Sequence, residues 1–230
     1  MALGVSHAGI GPLTSVQVFA LVGGLVNVGI IYALASGRRA MSPLKLLLAG
    51  VTLGLISSAL IMFARFVSEP DKLVMTDRWL MGGLDVAGFR SVAAVLPFVF
   101  PAVALLLSEA NALNQLSLGD EAAMGRGVDV AATQRTAFLA GSVSTAAIVS
   151  VTGPIGFVGL IVPHLLRGIV GPDHRVLLPL SLLLGGAFLV VADTVARSAF
   201  APSELPVGVL TAMLGGPFFL VLLLTRVRYR

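Results

Sequence analysis

The stretch LKLLLAGVTLGLISSALIMFARF, residues 44–66, decides the fold. Its only charged residues, Lys45 and Arg65, lie beside its two ends. A helix needs roughly 20 consecutive apolar residues to cross the hydrocarbon core of a bilayer, because each residue advances the helix by about 1.5 Å. The stretch meets this length and predicts a transmembrane helix.

Apolar blocks recur on both sides of this stretch, and together they predict an all-α, polytopic membrane protein with about seven transmembrane helices. Glycine and proline interrupt helices, so Gly153-Pro154 and Gly171-Pro172 separate neighbouring blocks. No soluble domain can be separated, which predicts one transmembrane domain over residues 1–230. The predicted spans cover residues 16–36, 44–66, 92–107, 136–151, 157–170, 176–197 and 206–224.

The composition agrees with a lipid environment. Hydrophobic residues make up 57% of the chain and charged residues 11%, and the mean hydropathy is +1.00. Soluble domains average about 45–50% hydrophobic residues and about 25% charged residues. The formal charge of +4 comes from residues scattered between apolar blocks, which argues against nucleic acid as a partner. The chain has no cysteine, and no His or carboxylate lies at ligand spacing from His164, so we expect no cofactor and no metal.

Basic residues are distributed unevenly between alternate loops. If the loop at 37–45 is cytoplasmic, that side carries ten of the 15 Lys and Arg residues, so the positive-inside rule predicts a cytoplasmic C-terminus. These ten residues are Arg38, Arg39, Lys45, Arg126, Arg135, Arg167, Arg175, Arg226, Arg228 and Arg230.

A long polar connection on the predicted cytoplasmic side contains the stretch LSLGDEAAMGRGVD, residues 116–129. The stretch predicts a short helix from about Asp120 to Met124, because Asp120 and Glu121 suit a helix N-terminus and glycines follow. Two interpretations remain open from spacing alone: a helix that docks a soluble partner, or a solvated loop.

Four stretches of the chain resemble the FecCD-type permeases, the family that imports iron-siderophores, haem and cobalamin. The resemblance implies a plasma-membrane permease subunit of an ABC importer, carrying an iron-siderophore or a related chelate by alternating access. It also implies a homodimer that works with ABC ATPase subunits and an extracytoplasmic substrate-binding protein. Because the partner ATPases would hydrolyse the ATP, the resemblance further implies that the chain itself is not an enzyme and has no catalytic residue. The stretches are PLKLLLAGVTLGLISSAL (43–60), LGDEAAMGRGV (118–128), GPIGFVGLIVPHLLRGIVGPDHRVLLP (153–179) and ADTVARSAFAPSELPVGVLTAMLGGPFF (192–219).

The resemblance assigns roles to particular residues. Ser42 and Pro43 correspond to a cytoplasmic gate, where family members commonly carry Ser or Thr, so Pro43 departs from the pattern. Arg197 corresponds to the arginine that docks the binding protein. Asp193 lies four residues before Arg197, so a purely structural intrahelical pair is the alternative. The loop 110–130 corresponds to the ATPase-coupling element, with Gly119, Glu121, Ala122, Met124 and Gly125 as its contacts.

Family members have ten spans, and three of them precede the first span found here. We therefore also consider a truncated, non-transporting remnant or an assembly partner of a longer copy. A secondary transporter is a further alternative, and it requires an ionisable group within the membrane, for which Asp193 is the candidate. The sequence does not identify the cargo, and cobalamin and haem remain alternatives to an iron-siderophore.

Overall fold

The computed structural model describes residues 14–35, 42–85, 88–199 and 204–227. All the regular structure in these ranges is helical, which confirms the predicted all-α fold. Arg38, Arg39, Arg228 and Arg230, which entered the orientation argument, lie outside the described residues, as does the side chain of Arg226. The helices are α1 (Ser15–Ala35), α2 (Pro43–Val67), α3 (Pro70–Leu80), α4 (Phe89–Ser108), α5 (Ala110–Leu116), α6 (Asp120–Gly125), α7 (Val130–Thr152), α8 (Val158–Val170), α9 (His174–Ala199) and α10 (Val207–Val227).

Four of the described helices are long and apolar enough to cross a membrane: α1, α2, α4 and α9. The helix α8 and the part of α10 over Val207–Leu222 are apolar but shorter. Large apolar side chains such as Phe63 and Phe66 are exposed on α2, as expected where lipid is the solvent. Each of the seven predicted spans overlaps one helix, and the number that cross the bilayer stays a prediction.

Three helices, α3, α5 and α6, occupy segments where the sequence predicts no span, and α6 was predicted as a short helix. The polar segment between α2 and α4 contains α3, which starts at Pro70, a residue suited to the first helical position because its missing N–H has no intrahelical partner there. The connection at 110–130 contains α5 as well as the predicted short helix, α6. The observed α6 runs from Asp120 to Gly125, one residue beyond the predicted end.

The chain divides into two compact units. Unit 1 comprises Met1–Leu73 and Val86–Val151, and unit 2 comprises Val74–Asp85 and Thr152–Arg230. In unit 1, α1 packs against α2 and also meets α7, where the ring of Tyr32 stacks on Phe138 with centroids 6.4 Å apart.

In unit 2, α8 and α9 form a helical hairpin around a small apolar core of Val162, Leu166 and Leu177. The hairpin turns at Gly171, and Asp173 starts α9 by accepting the backbone N–H of Arg175 at 2.9 Å and, through its carbonyl, that of Leu177 at 2.8 Å. The predicted turn at Gly171-Pro172-Asp173 therefore brings α8 and α9 together.

Candidate functional site

Arg197 lies near the C-terminal end of α9 and contacts two carboxylates of unit 2. Its Nε donates to Oδ2 of Asp193 at 2.7 Å, one helical turn earlier. Its Nη2 lies 2.6 Å from Oδ1 of Asp85, which precedes α4 in the chain. The Arg197 side chain is 40% exposed, Asp85 60% and Asp193 21%, so the cluster opens to its surroundings.

The contact of Arg197 with Asp193 was predicted from the sequence as one of two interpretations, whereas the contact with Asp85 was not predicted. The pair Asp193–Arg197 follows from the i, i+4 spacing of a helix. Asp85 is more than a hundred residues from Arg197 along the chain, so no helical period connects them. The available signal was the order of the predicted spans, which predicts that both residues lie on the same side of the membrane.

Three backbone segments meet close to Asp85, and we call this contact the glycine junction. The backbone N–H of Gly83 donates to the carbonyl of Thr152 at 2.8 Å, and that of Gly208 donates to the carbonyl of Gly82 at 3.1 Å. These bonds join segments that are distant in sequence and hold the residues that lead to Asp85. The segments are 79–83, 152–154 and 206–208.

The glycine junction depends on glycine at two positions, because a side chain at either one would overlap a neighbouring segment. A Cβ on Gly153 would overlap the carbonyl oxygen of Trp79, and a Cβ on Gly208 would overlap that of Met81. Gly153 also has a φ of +70°, a conformation that residues with a Cβ rarely adopt. Backbone therefore approaches backbone closely here, as helix packing in lipid permits where side chains are small.

In unit 1, the short helix α6 presents the predicted coupling residues. Ala123 is fully buried and anchors the helix. Hydrogen bonds from the N–H of Val128 to the carbonyl of Ala123, at 3.1 Å, and from Gly127 to Met124, at 2.9 Å, close its C-terminus as a Schellman motif. The predicted residues Gly119, at the N-cap, and Glu121, Ala122, Met124 and Gly125, within α6, are all exposed.

A side-chain hydrogen bond connects the two ends of the 110–130 connection. The hydroxyl of the buried Thr133, on α7, donates to Oε2 of Glu109 at 3.2 Å, and Glu109 lies between α4 and α5. Asp129 caps α7 by accepting the N–H of Ala132 at 2.9 Å. The bond between Glu109 and Thr133 was not predicted, because residues 24 positions apart share no local sequence pattern.

The predicted gate residues begin α2. Ser42 is the N-cap, and its hydroxyl oxygen accepts the N–H of Lys45 at 3.5 Å. Pro43 occupies the first helical position, where its fixed φ and missing N–H suit a helix start. The departure from the family pattern at Pro43 thus has a local physical reason, while the gating role of both residues stays a prediction.

Among the described residues, no group of three or more His, Cys, Asp or Glu residues could hold a metal ion. The ring of His164, on α8, packs edge-on against Phe218 of α10, with ring centroids 6.1 Å apart. This contact gives His164 a packing role within unit 2.

Comparison with known proteins gives a consistent result. The FecCD transport family model matches residues 1–225. The cobalamin import system permease protein of Halobacterium salinarum is 46% identical over 92% of this chain and 56% of its own length. The hemin transport system permease protein of Yersinia pestis is 39% identical over 92% of this chain and 63% of its own length. The chain thus spans about three fifths of the length of these curated relatives.

A solved structure described as an inward-facing conformation of a metal-chelate type ABC transporter has a TM-score of 0.78 and 33% identity. The similarity covers 89% of this chain and 65% of that one. The family model, the relatives and the structural neighbour therefore agree, and the chain belongs to the FecCD transport family of ABC transporter permeases.

Proposed function

We propose that the chain is the transmembrane permease subunit of a binding-protein-dependent ABC importer that carries an iron-siderophore or a related metal chelate. It works as a homodimer in the plasma membrane, with its C-terminus in the cytoplasm. Partner ATPases drive alternating access and hydrolyse the ATP, so the chain needs no ATPase site of its own.

The observation that carries this proposal is the exposure of all five predicted coupling residues on and beside α6. The helix is anchored through the buried Ala123, so a force on its exposed side acts on the rest of unit 1. An ATPase that binds α6 differently in its open and closed states would bias the permease between two conformations, as coupling requires.

The bond between Glu109 and Thr133 supports the same role. It ties the start of α5 to α7, on either side of α6. A displacement of α6 therefore also moves α4 and α7, because the connection between these helices is held by the hydrogen bond and is not a flexible loop. We infer that the hydrogen bond between Glu109 and Thr133 connects the coupling element, α6, to the other helices of unit 1. We also infer that Ser42 and Pro43 form the cytoplasmic gate that responds to this movement.

Arg197 is the proposed docking residue for the extracytoplasmic binding protein. Its partial exposure supports this role. A secondary transporter would need an ionisable group free to exchange ions within the membrane. Asp193, the candidate, is ion-paired with Arg197, which favours the importer.

The cargo class follows from the relatives, whose names differ in substrate. They include permeases for cobalamin, hemin and iron(3+)-hydroxamate. These compounds share a metal bound in an organic chelate, which is the class we propose here. An iron-siderophore is our first candidate, with cobalamin and haem as alternatives.

The test is co-purification with the ATPase encoded nearest to the chain. Gly125 offers a matched pair of variants, because a Cβ at this position would meet no atom within 4 Å. Gly125→Ala adds only that atom, while Gly125→Arg adds bulk and charge to the exposed side of α6. We expect the wild type and Gly125→Ala to retain the ATPase in detergent extracts and Gly125→Arg to lose it.

Retention of the ATPase by Gly125→Arg would refute the coupling assignment. Failure of all three proteins to co-purify with the ATPase, with normal membrane insertion and a monodisperse elution profile, would count against the importer. ATPase-dependent uptake of radiolabelled ferric siderophore, haem or cobalamin into proteoliposomes then separates the three cargo classes.

A further inference from the structure

The contacts of Arg197 leave an imbalance of charge. One guanidinium meets two carboxylates, Asp85 and Asp193, so the cluster carries a formal charge of −1. An acidic side chain that approaches Arg197 is attracted by the guanidinium but repelled by both carboxylates. The cluster, as it stands, is therefore poorly matched to an acidic partner, even though Arg197 is partly exposed.

The two carboxylates differ in how firmly they are held. Asp193 shares a helix with Arg197 and is the less exposed of the two, so the helix keeps it beside the guanidinium. Asp85 lies in a non-helical segment, and its side chain is 60% exposed. Release of Asp85 puts its carboxylate into solvent at little cost, since exposed ion pairs are weak. Asp85 is thus the carboxylate that can leave.

The glycine junction limits what moves when Asp85 leaves. The backbone two residues before it is fixed by the hydrogen bond from Gly83 to Thr152, and that of Gly82 by the bond from Gly208. A change of side-chain rotamer is therefore sufficient to separate Asp85 from Arg197. The exchange needs no rearrangement of α9 or of residues 79–83.

We propose that Asp85 is an intramolecular competitor at the docking site: its carboxylate holds Arg197 until a carboxylate of an acidic partner displaces it. This inference rests on the proposed docking role of Arg197. Asp85 keeps the arginine oriented in the free permease and lowers the affinity for the partner. Asp193 stays bound to Arg197 throughout and keeps the guanidinium in place on α9.

The experiment compares Asp85→Asn with Glu204→Gln in the full chain in nanodiscs. The control also removes one negative charge from unit 2 but leaves both carboxylates on Arg197. The first measurement is the rate at which phenylglyoxal modifies Arg197, resolved by mass spectrometry of the peptide. The second is the affinity for the substrate-binding protein encoded nearest to the chain, at low and high salt.

We expect Asp85→Asn to speed the modification of Arg197 and to tighten binding about twofold to fivefold at low salt, the range that an exposed ion pair supports. The gain should shrink at high salt because mobile ions screen exposed charges. Glu204→Gln should leave both measurements unchanged. Asp85→Glu, which restores the charge, should return both towards the wild-type values and so separates loss of charge from misfolding.

If phenylglyoxal modified Arg197 at the same rate in Asp85→Asn as in the wild type, Asp85 would not restrain Arg197, and the proposal would be overturned. Faster modification with unchanged or weaker binding would overturn the competition. A wild type and variants that all fail to bind the substrate-binding protein would overturn the docking role of Arg197, and with it the competition. In that case the modification rate still decides whether Asp85 restrains Arg197, so the two failures are distinguishable.

Discussion

Replacement of Gly208 by alanine tests the glycine junction. The added Cβ would overlap the carbonyl oxygen of Met81 and would lie 3.0 Å from that of Pro154 and 3.2 Å from that of Gly82. All three are backbone atoms, so no side-chain rotation can relieve the contact. Separating the segments costs about 1–3 kcal/mol. Weakening the hydrogen bond from Gly208 to Gly82 adds about 1 kcal/mol. We therefore expect a loss of about 2–4 kcal/mol in the free energy of unfolding.

The assay uses Trp79, the single tryptophan of the chain, which lies within the junction. Its fluorescence during titration of mixed micelles with SDS follows the local loss of structure. Gly186→Ala is the matched control, because a Cβ on this glycine of α9 would meet no atom within 4 Å. An alanine in a helix interior is favoured over glycine by about 1 kcal/mol, so the control should keep or raise the unfolding midpoint.

Equal midpoints for Gly208→Ala and the wild type would refute the reasoning. They would mean that the three segments separate without cost and that the junction does not fix the backbone before Asp85. A lower midpoint for Gly186→Ala as well would mean that both glycines are closely packed, and that the loss is not specific to the junction.

Two further predictions concern the stability of each unit and use the same unfolding titration. Leu166→Ala, at a side chain 3% exposed in the core of unit 2, should cost about 2–5 kcal/mol, while Leu165→Ala, at 52% exposed, should change stability by less than about 0.5 kcal/mol. Equal effects would contradict the described core. Thr133→Val removes the hydroxyl that donates to Glu109 and should cost about 1–2 kcal/mol, whereas Glu109→Gln keeps an acceptor and should cost less. A Thr133→Val variant as stable as the wild type would show that the hydrogen bond to Glu109 contributes nothing to stability.

Local sequence was sufficient for the helices with a strong apolar or terminal signal. The stretch 44–66 predicts α2, because an apolar run of this length, with charges only beside its two ends, has few alternatives to a helix in lipid. The end of α7 at Thr152 follows from Gly153-Pro154, and α6 starts at the predicted Asp120. The helix α3 was not predicted, because its polar residues interrupt any apolar run.

The contacts of the candidate site also fall into those that local sequence predicts and those that depend on tertiary packing. The pair of Asp193 with Arg197 follows from helical spacing, so the sequence was sufficient to propose it. The coupling residues on and beside α6 came from the family resemblance, and their role stays a prediction. The roles of Ser42 and Pro43 came from the family resemblance and stay predictions. The bond between Glu109 and Thr133 joins different helices, so its formation depends on how they pack.

By itself, the sequence determined a helical membrane protein of the FecCD family, because the length of apolar runs and the motifs within single segments depend only on neighbouring residues. Only the tertiary structure decided that Asp85 contacts Arg197 and that glycines let three segments meet beside it. Contacts of this kind join residues far apart in the chain and depend on the close approach of backbones. The periodicity of a helix or strand relates residues within one element only, so it cannot predict which distant backbone segments come together.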